Sequence, residues 1–190
     1  RLFPRPEDNL RFYRVMTLHE AGHLEFGTYD PLPEESVAPL SHLPDPVLAN
    51  ILWTIVEEGR IDFLLRSEYA GIRGDMDAVI TLQMRDRPDL FQIPPHQGIL
   101  EALMRLSVTE DVDVPLPLVE VVSGAFAILK NVMQRDATVV DSLKTTAALF
   151  HYLEDRLRDI RWESDSGGAS ENKTSPPPSS PHHAPAPFSY

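Results

Sequence analysis

The chain has 190 residues, a net charge of −12 and 42% apolar residues, which suffices for one domain with a sizeable core. The acidic balance argues against binding to nucleic acid or to an anionic membrane surface, because both need clustered cations. There is no cysteine, so disulfides and thiolate chemistry are excluded, and any metal has to be held by imidazole and carboxylate groups.

The sequence also bears on location. No stretch approaches the roughly 20 uninterrupted apolar residues of a membrane helix, and residues 1–13 contain no signal-peptide core. Together with the absence of cysteine, this predicts a cytoplasmic protein without membrane association. Because the sequence begins without methionine, we interpret it as part of a longer protein.

The first predicted helix covers residues 9–26, where apolar residues recur at mostly helical spacing and no proline interrupts them. Gly27 suits the position just past a helix end. Residues 30–46 contain five prolines, which predicts an extended, irregular connection. The apolar residues of the first helix are Leu10, Tyr13, Val15, Met16, Leu18 and Leu24.

The second predicted helix begins at Asp45, takes Pro46 as its first helical residue and continues to Tyr69. Its apolar residues form one stripe at helical spacing. Gly59 inside it costs about 1 kcal/mol relative to alanine. Further helices are predicted over residues 75–87, 97–106, 118–134 and 138–160, with the linker TEDVDVPLP before the third of these.

No segment shows the period-two alternation of a strand, so the sequence predicts an all-α fold with one helical domain over residues 1–162. Residues 163–190 are rich in serine, proline and glycine and almost free of apolar side chains. This composition predicts a disordered tail or linker. We interpret His182 and His183 as part of that tail rather than as a metal site.

Residues 18–24 read LHEAGHL. Residues i and i+4 share one face of a helix, so His19 and His23 can bind one metal ion. Glu20 can reach a water on that ion as a general base without binding the ion itself. Gly22 in mid-helix indicates that another group approaches closely. Chance matches to such a short pattern usually lie in loops or on solvated helices; because this one lies in an apolar helix, we predict metal binding.

A third ligand is expected in the second helix, where Glu57 and Glu58 interrupt an apolar stripe, since buried carboxylates are costly unless paired. Glu58 shares a helical face with Asp62, so Glu58 would bind the metal while Asp62 orients a ligating histidine. Glu57 is the alternative ligand. Arg60 would neutralise the remaining acid, or bind a carboxylate or carbonyl group of a substrate. The simpler interpretation is a pair of solvated acids, one bridging to Arg60 or Arg66.

The HExxH pattern, followed one helix later by a glutamate with an acid four residues on, resembles the gluzincin metallopeptidases. The resemblance implies one Zn²⁺ held by His19, His23 and Glu58, with Glu20 as general base and Asp62 supporting a ligating histidine. It implies hydrolysis of amide bonds by metal-activated water. Manganese, iron or cobalt would accept the same donors.

Two segments, TLHEAGHLEFGTYD and VEEGRIDFLLRSEYAGIR, are similar to the N-terminal part of NorD/CbbO-like proteins. These carry a C-terminal von Willebrand factor A domain and work with MoxR-type AAA+ ATPases in activating metalloenzymes. The similarity covers about residues 9–75. It implies an alternative function, a non-catalytic metal-binding adaptor domain with such an ATPase as its partner.

Overall fold

In the computed structural model, which describes residues 2–109 and 111–166, every regular element is a helix and no strand occurs in these ranges. The predicted all-α fold is confirmed. Short 3₁₀ turns at Ala70–Ile72, Leu116–Leu118 and Lys130–Val132 lie between the α-helices. The α-helices are α1 (Pro6–Glu25), α2 (Glu34–Ser41), α3 (Pro46–Glu68), α4 (Arg73–Met84), α5 (Pro95–Val108), α6 (Val119–Leu129) and α7 (Val139–Ser166).

The last helix extends past the predicted end of the domain. Residues 163–166, predicted as the start of a tail, belong to α7, which ends at Ser166. The rest of the predicted tail, including His182 and His183, lies outside the described residues. Its disorder therefore stays a prediction. Within the described ranges, no helix combines the length and apolarity that crossing a membrane requires.

The two helix ends that flank the motif region follow their local sequence signals. The Asp45 carboxylate accepts hydrogen bonds from the backbone N–H groups of Val47 and Leu48, both at 3.0 Å, and so caps α3, whose first helical residue is Pro46 as predicted. Gly27 has φ of +76°, a left-handed conformation that glycine adopts without a steric penalty. The Thr28 N–H returns to the His23 carbonyl at 2.9 Å, which closes α1 as predicted.

The cap at Asp45 gives a stability prediction. Asp45→Ala removes the acceptor for two N–H groups at the start of α3, so the free energy of unfolding should fall by about 1 kcal/mol. Urea unfolding followed by circular dichroism measures the change. Asp45→Ser, which keeps a capping oxygen, should retain most of that stability; an equal loss in both variants would contradict a capping role.

The proline-rich connection was predicted wrongly. Residues 30–46 contain α2, an eight-residue helix (Glu34–Ser41) with Pro39 inside it. Pro33 precedes the helix with φ of −57°, and Glu34 and Glu35 occupy the first turn, where acidic groups interact favourably with the helix dipole. α2 packs against α7. In so short a helix, Pro39 removes only one backbone hydrogen bond, so the prolines did not prevent helix formation.

α3 is the central helix and packs in two directions. On one side it forms the larger apolar core with α5, α6 and α7; on the other it forms a smaller cluster with α1 and α4. The smaller cluster holds α1 against the half of α3 that contains Glu57 and Glu58. Its buried residues are Phe12, Val15, Ile61, Leu65, Ile72, Met76 and Val79.

The buried face of α1 differs from the predicted apolar pattern. Leu10, Tyr13 and Leu24 are 65%, 57% and 70% exposed. The face that meets α3 and α4 instead includes His19 and His23. Two polar side chains thus occupy positions that an amphipathic surface helix would fill with apolar residues.

Candidate metal centre

Helices α1 and α3 bring together three side chains that the sequence predicts as metal ligands. His19 and His23 lie one turn apart on the buried face of α1, and Glu58 lies on α3. One ligand atom from each residue lies within 4.8 Å of the others. Among the residues that the structure describes, this is the one group of three or more such side chains able to hold a metal ion.

Gly22 allows the two helices to approach this closely. A Cβ atom at this position would lie 3.1 Å from Ile61 Cγ2 and 3.3 Å from Leu65 Cδ1. The prediction that another group approaches Gly22 is therefore confirmed. That group is the apolar side of α3, so the glycine helps to set the distance between the histidines and Glu58.

The donor atoms have spacings close to those of a metal site. His19 Nε2 lies 2.7 Å from Glu58 Oε2 and 3.1 Å from His23 Nε2. The distance from His23 Nε2 to the other carboxylate oxygen, Glu58 Oε1, is 3.4 Å. A tetrahedral zinc site with bonds of about 2.0–2.1 Å places neighbouring donors roughly 3.3 Å apart. The group therefore fits a zinc-sized ion after a shift of about half an ångström in the Glu58 carboxylate.

Asp62 holds the far side of His19. Asp62 Oδ1 lies 3.0 Å from His19 Nδ1, and Glu58 Oε2 faces the other ring nitrogen. Ionised carboxylates only accept hydrogen bonds, so both ring nitrogens carry a proton and His19 is an imidazolium. Burial alone would lower the pKa of His19, but the hydrogen bonds to Asp62 and Glu58 outweigh it and raise the pKa. The Asp62 contact has the geometry predicted for a residue that orients a ligating histidine.

The same interactions act on Glu58. Burial alone would raise the pKa of this carboxyl, but hydrogen bonds from His19 and His23 hold it well below its usual value. Glu58 is consequently an anion, the form that can bind a cation.

Glu57, the alternative ligand, is engaged elsewhere. Arg60 Nη2 donates to Glu57 Oε1 at 2.6 Å and Arg60 Nε donates to Glu57 Oε2 at 2.9 Å. Arg60 is 0% exposed and Glu57 is 2% exposed. Burial alone would raise the pKa of Glu57, but the hydrogen bonds from Arg60 lead the interactions that lower it. The interpretation of Glu57 as a solvated surface acid is therefore wrong, whereas the predicted bridge to Arg60 is confirmed. Because Glu57 is held by Arg60, the geometry favours Glu58 as the third metal ligand.

Thr28 was not identified from the sequence, yet it connects His23 to the buried ion pair. His23 Nδ1 donates to Thr28 Oγ1 at 3.0 Å, and Thr28 Oγ1 donates to Glu57 Oε1 at 2.5 Å. Because the Thr28 hydroxyl donates to Glu57, it accepts from His23, so His23 Nδ1 carries a proton and Nε2 faces His19 and Glu58. The sequence signal was Gly27, because the turn after α1 folds Thr28 back toward the last turn of the helix.

Glu20, the predicted general base, is exposed. Among the described residues it makes no hydrogen bond or ion pair. A cavity of about 20 Å³ adjoins the centre and is lined by His19, Glu58, Asp62 and mostly apolar side chains, without Glu20. A volume of this size holds about one water molecule. The donors are therefore largely buried, and Glu20 lies outside the cavity that adjoins them.

Comparison with protein families, with curated proteins and with solved structures finds no match to this chain. The resemblance to gluzincins and to NorD/CbbO-like proteins thus stays a prediction based on the motifs.

Proposed function

We propose that this chain is a metal-binding domain that holds one divalent cation, zinc in the first instance, between His19, His23 and Glu58. The observation that carries the proposal is the convergence of these three donors, from two helices, within 4.8 Å. Two imidazoles and one carboxylate form a ligand set typical of zinc. The bound ion would supply Lewis acidity to this site.

The surroundings favour a binding role over catalysis. The two histidines are 3% and 6% exposed, and the adjoining cavity of about 20 Å³ is far smaller than the space a peptide needs. Asp62 and Thr28 fix the orientation of both rings. We infer a metal-dependent adaptor domain of a cytoplasmic protein, and the similarity to NorD/CbbO-like proteins supports a MoxR-type AAA+ ATPase as its partner.

Paired glutamine substitutions test the proposal. Glu58→Gln removes the charged donor, whereas Glu20→Gln makes the same change at the exposed neighbour of His19. After dialysis against zinc and then against buffer, elemental analysis should find about one zinc per chain in the wild-type protein and in Glu20→Gln. It should find less than about a tenth of that in Glu58→Gln, because two neutral imidazoles alone bind weakly.

A thermal measurement checks that folding does not decide the result. A ligand that binds only the folded state stabilises it, so zinc should raise the melting temperature of the wild-type protein and of Glu20→Gln but not of Glu58→Gln. Equal zinc retention in all three folded proteins would refute the proposed ligand set.

Thr28 gives a second test of the centre. Thr28→Val keeps the shape of the side chain but leaves His23 Nδ1 without its acceptor, so the ring loses its fixed tautomer. Metal affinity should fall by about 10–100-fold, as is usual for partners of metal-bound histidines. Competition with a chromophoric chelator measures the affinity. Thr28→Ser restores the hydroxyl and should restore most of the binding; a Thr28→Ser defect as large as that of Thr28→Val would exclude the hydroxyl as the cause.

Hydrolysis of amide bonds is the second candidate, and one observation favours it: Glu20 is accessible to solvent and adjacent in sequence to His19. Its carboxylate would accept a proton from an attacking water and pass it to the leaving amine. The test is zinc-dependent cleavage of labelled casein. If the wild-type protein cleaves casein and Glu20→Gln does not, although it still binds zinc, the chain is a peptidase rather than a binding domain. We expect neither protein to cleave casein, because the histidines are buried and the adjoining cavity has room for only about one water molecule.

A further inference from the structure

A groove that contains none of the three proposed metal ligands lies between α3, α5 and the end of α6. It has a volume of about 440 Å³, within the range of roughly 300–1,000 Å³ that small-molecule sites occupy. Most of its lining is apolar and only partly buried in the fold. The apolar residues along it are Phe63, Leu106, Val108, Phe126 and Met133.

Two cations lie in this groove. Lys130 Nζ is 4.7 Å from the centroid of the Phe126 ring, and within the described part of the chain it forms no ion pair. Arg66 Nη1 donates to Asp77, whose side chain is 65% exposed, so this pair is weakened by solvent screening. These are two positive charges on a chain whose net charge is −12.

Arg66 has hydrogen-bonding capacity left for a ligand. Its side chain lines the groove and is 26% exposed. Its Nε atom is buried and forms no hydrogen bond with the described residues, so the pair with Asp77 does not use all donors of the guanidinium. A carboxylate in the groove would offset the charge of this guanidinium.

We propose that the groove binds a small monoanion with an apolar body, of the class of medium-chain or aromatic carboxylic acids. The carboxylate would contact Arg66 and Lys130, and the hydrocarbon part would lie on the apolar side chains of α5 and α6. Asp62 also lines the groove and repels a carboxylate, which directs the head group toward the two cations. A cationic amphiphile of the same length would be repelled by the two cations, and a neutral one would leave their charges uncompensated.

Octanoate is the probe, and chelator-treated protein is used so that binding is measured apart from the metal centre. Isothermal titration calorimetry should show one saturable octanoate site per chain. Octyltrimethylammonium, with a similar chain and the opposite charge, should bind at least about tenfold more weakly. Absence of saturable octanoate binding up to about 10 mM, or equal binding of the two amphiphiles, would overturn the proposal.

Lys130→Met tests the site itself, because this lysine is exposed and its replacement leaves the core intact. The octanoate affinity should fall about five- to tenfold. Lys144→Met, at an exposed lysine on α7 outside the groove, is the matched control and should bind like the wild-type protein. Equal affinities in both variants would overturn the assignment, as would a dimer in which a second copy fills the groove and excludes octanoate.

Discussion

Replacing Arg60 with methionine should lower the free energy of unfolding by about 3–5 kcal/mol, because the change leaves a buried carboxylate without its counter-charge. Arg60 is 0% exposed and binds both oxygens of Glu57. Its Nη1 also donates to the backbone carbonyls of Phe26 and Ala137, at 3.1 and 3.3 Å. One guanidinium thus ties the end of α1 and the start of α7 to α3, and methionine fills similar space while replacing none of these hydrogen bonds.

Chemical unfolding measures this loss, and two further variants identify its cause. Arg158→Met removes a partner of Glu154 from an exposed pair at 3.4 Å, with side chains 58% and 29% exposed, and should cost less than about 1 kcal/mol. The double variant Arg60→Met, Glu57→Leu should recover part of the stability, since it leaves no unpaired buried charge. A cost below about 1 kcal/mol for Arg60→Met alone would show that the pair does not stabilise the fold.

Much of the candidate site follows from local sequence rules. The spacing of His19 and His23 places them on one helical face, and the spacing of Glu58 and Asp62 does the same on the next long helix. Asp45 and Gly27 mark helix ends through capping chemistry, which depends on a few neighbouring residues. These predictions needed no knowledge of which helices pack together.

The features that were missed depend on tertiary packing. Leu10, Tyr13 and Leu24 have the apolar character of a buried stripe, yet they are exposed, because α1 turns its histidines toward α3. Thr28 has no helical spacing to His23 that would identify it; the left-handed turn at Gly27 brings it there. The spacing of Glu58 and Asp62 already favoured Glu58 over Glu57 as the third ligand; what it could not show is that Arg60 binds both oxygens of Glu57.

Zinc affinity should rise by about tenfold per pH unit between pH 6 and 8, which amounts to about 100-fold over the interval. The proton on His19 Nε2 faces Glu58 and His23, the same groups that are proposed to bind the ion. A cation must therefore displace that proton. Burial lowers the pKa of His19, but Asp62 and Glu58 outweigh it and raise the pKa to about 10. The competing proton is consequently bound throughout this range, and its competition weakens as pH rises.

Competition with a chelator at pH 6, 7 and 8 measures how the zinc affinity changes with pH. Calorimetry in two buffers of different ionisation enthalpy should show the release of about one proton per zinc bound. Asp62→Asn removes the strongest of the interactions that raise the pKa of His19, so the steep dependence should end at a lower pH. Asp75→Asn makes the same change at a carboxylate paired with Arg11 and Arg14 on the outer side of α1, and its slope should match that of the wild-type protein. An affinity independent of pH from 6 to 8 would mean that His19 binds no competing proton, which contradicts the two-carboxylate environment that its ring occupies.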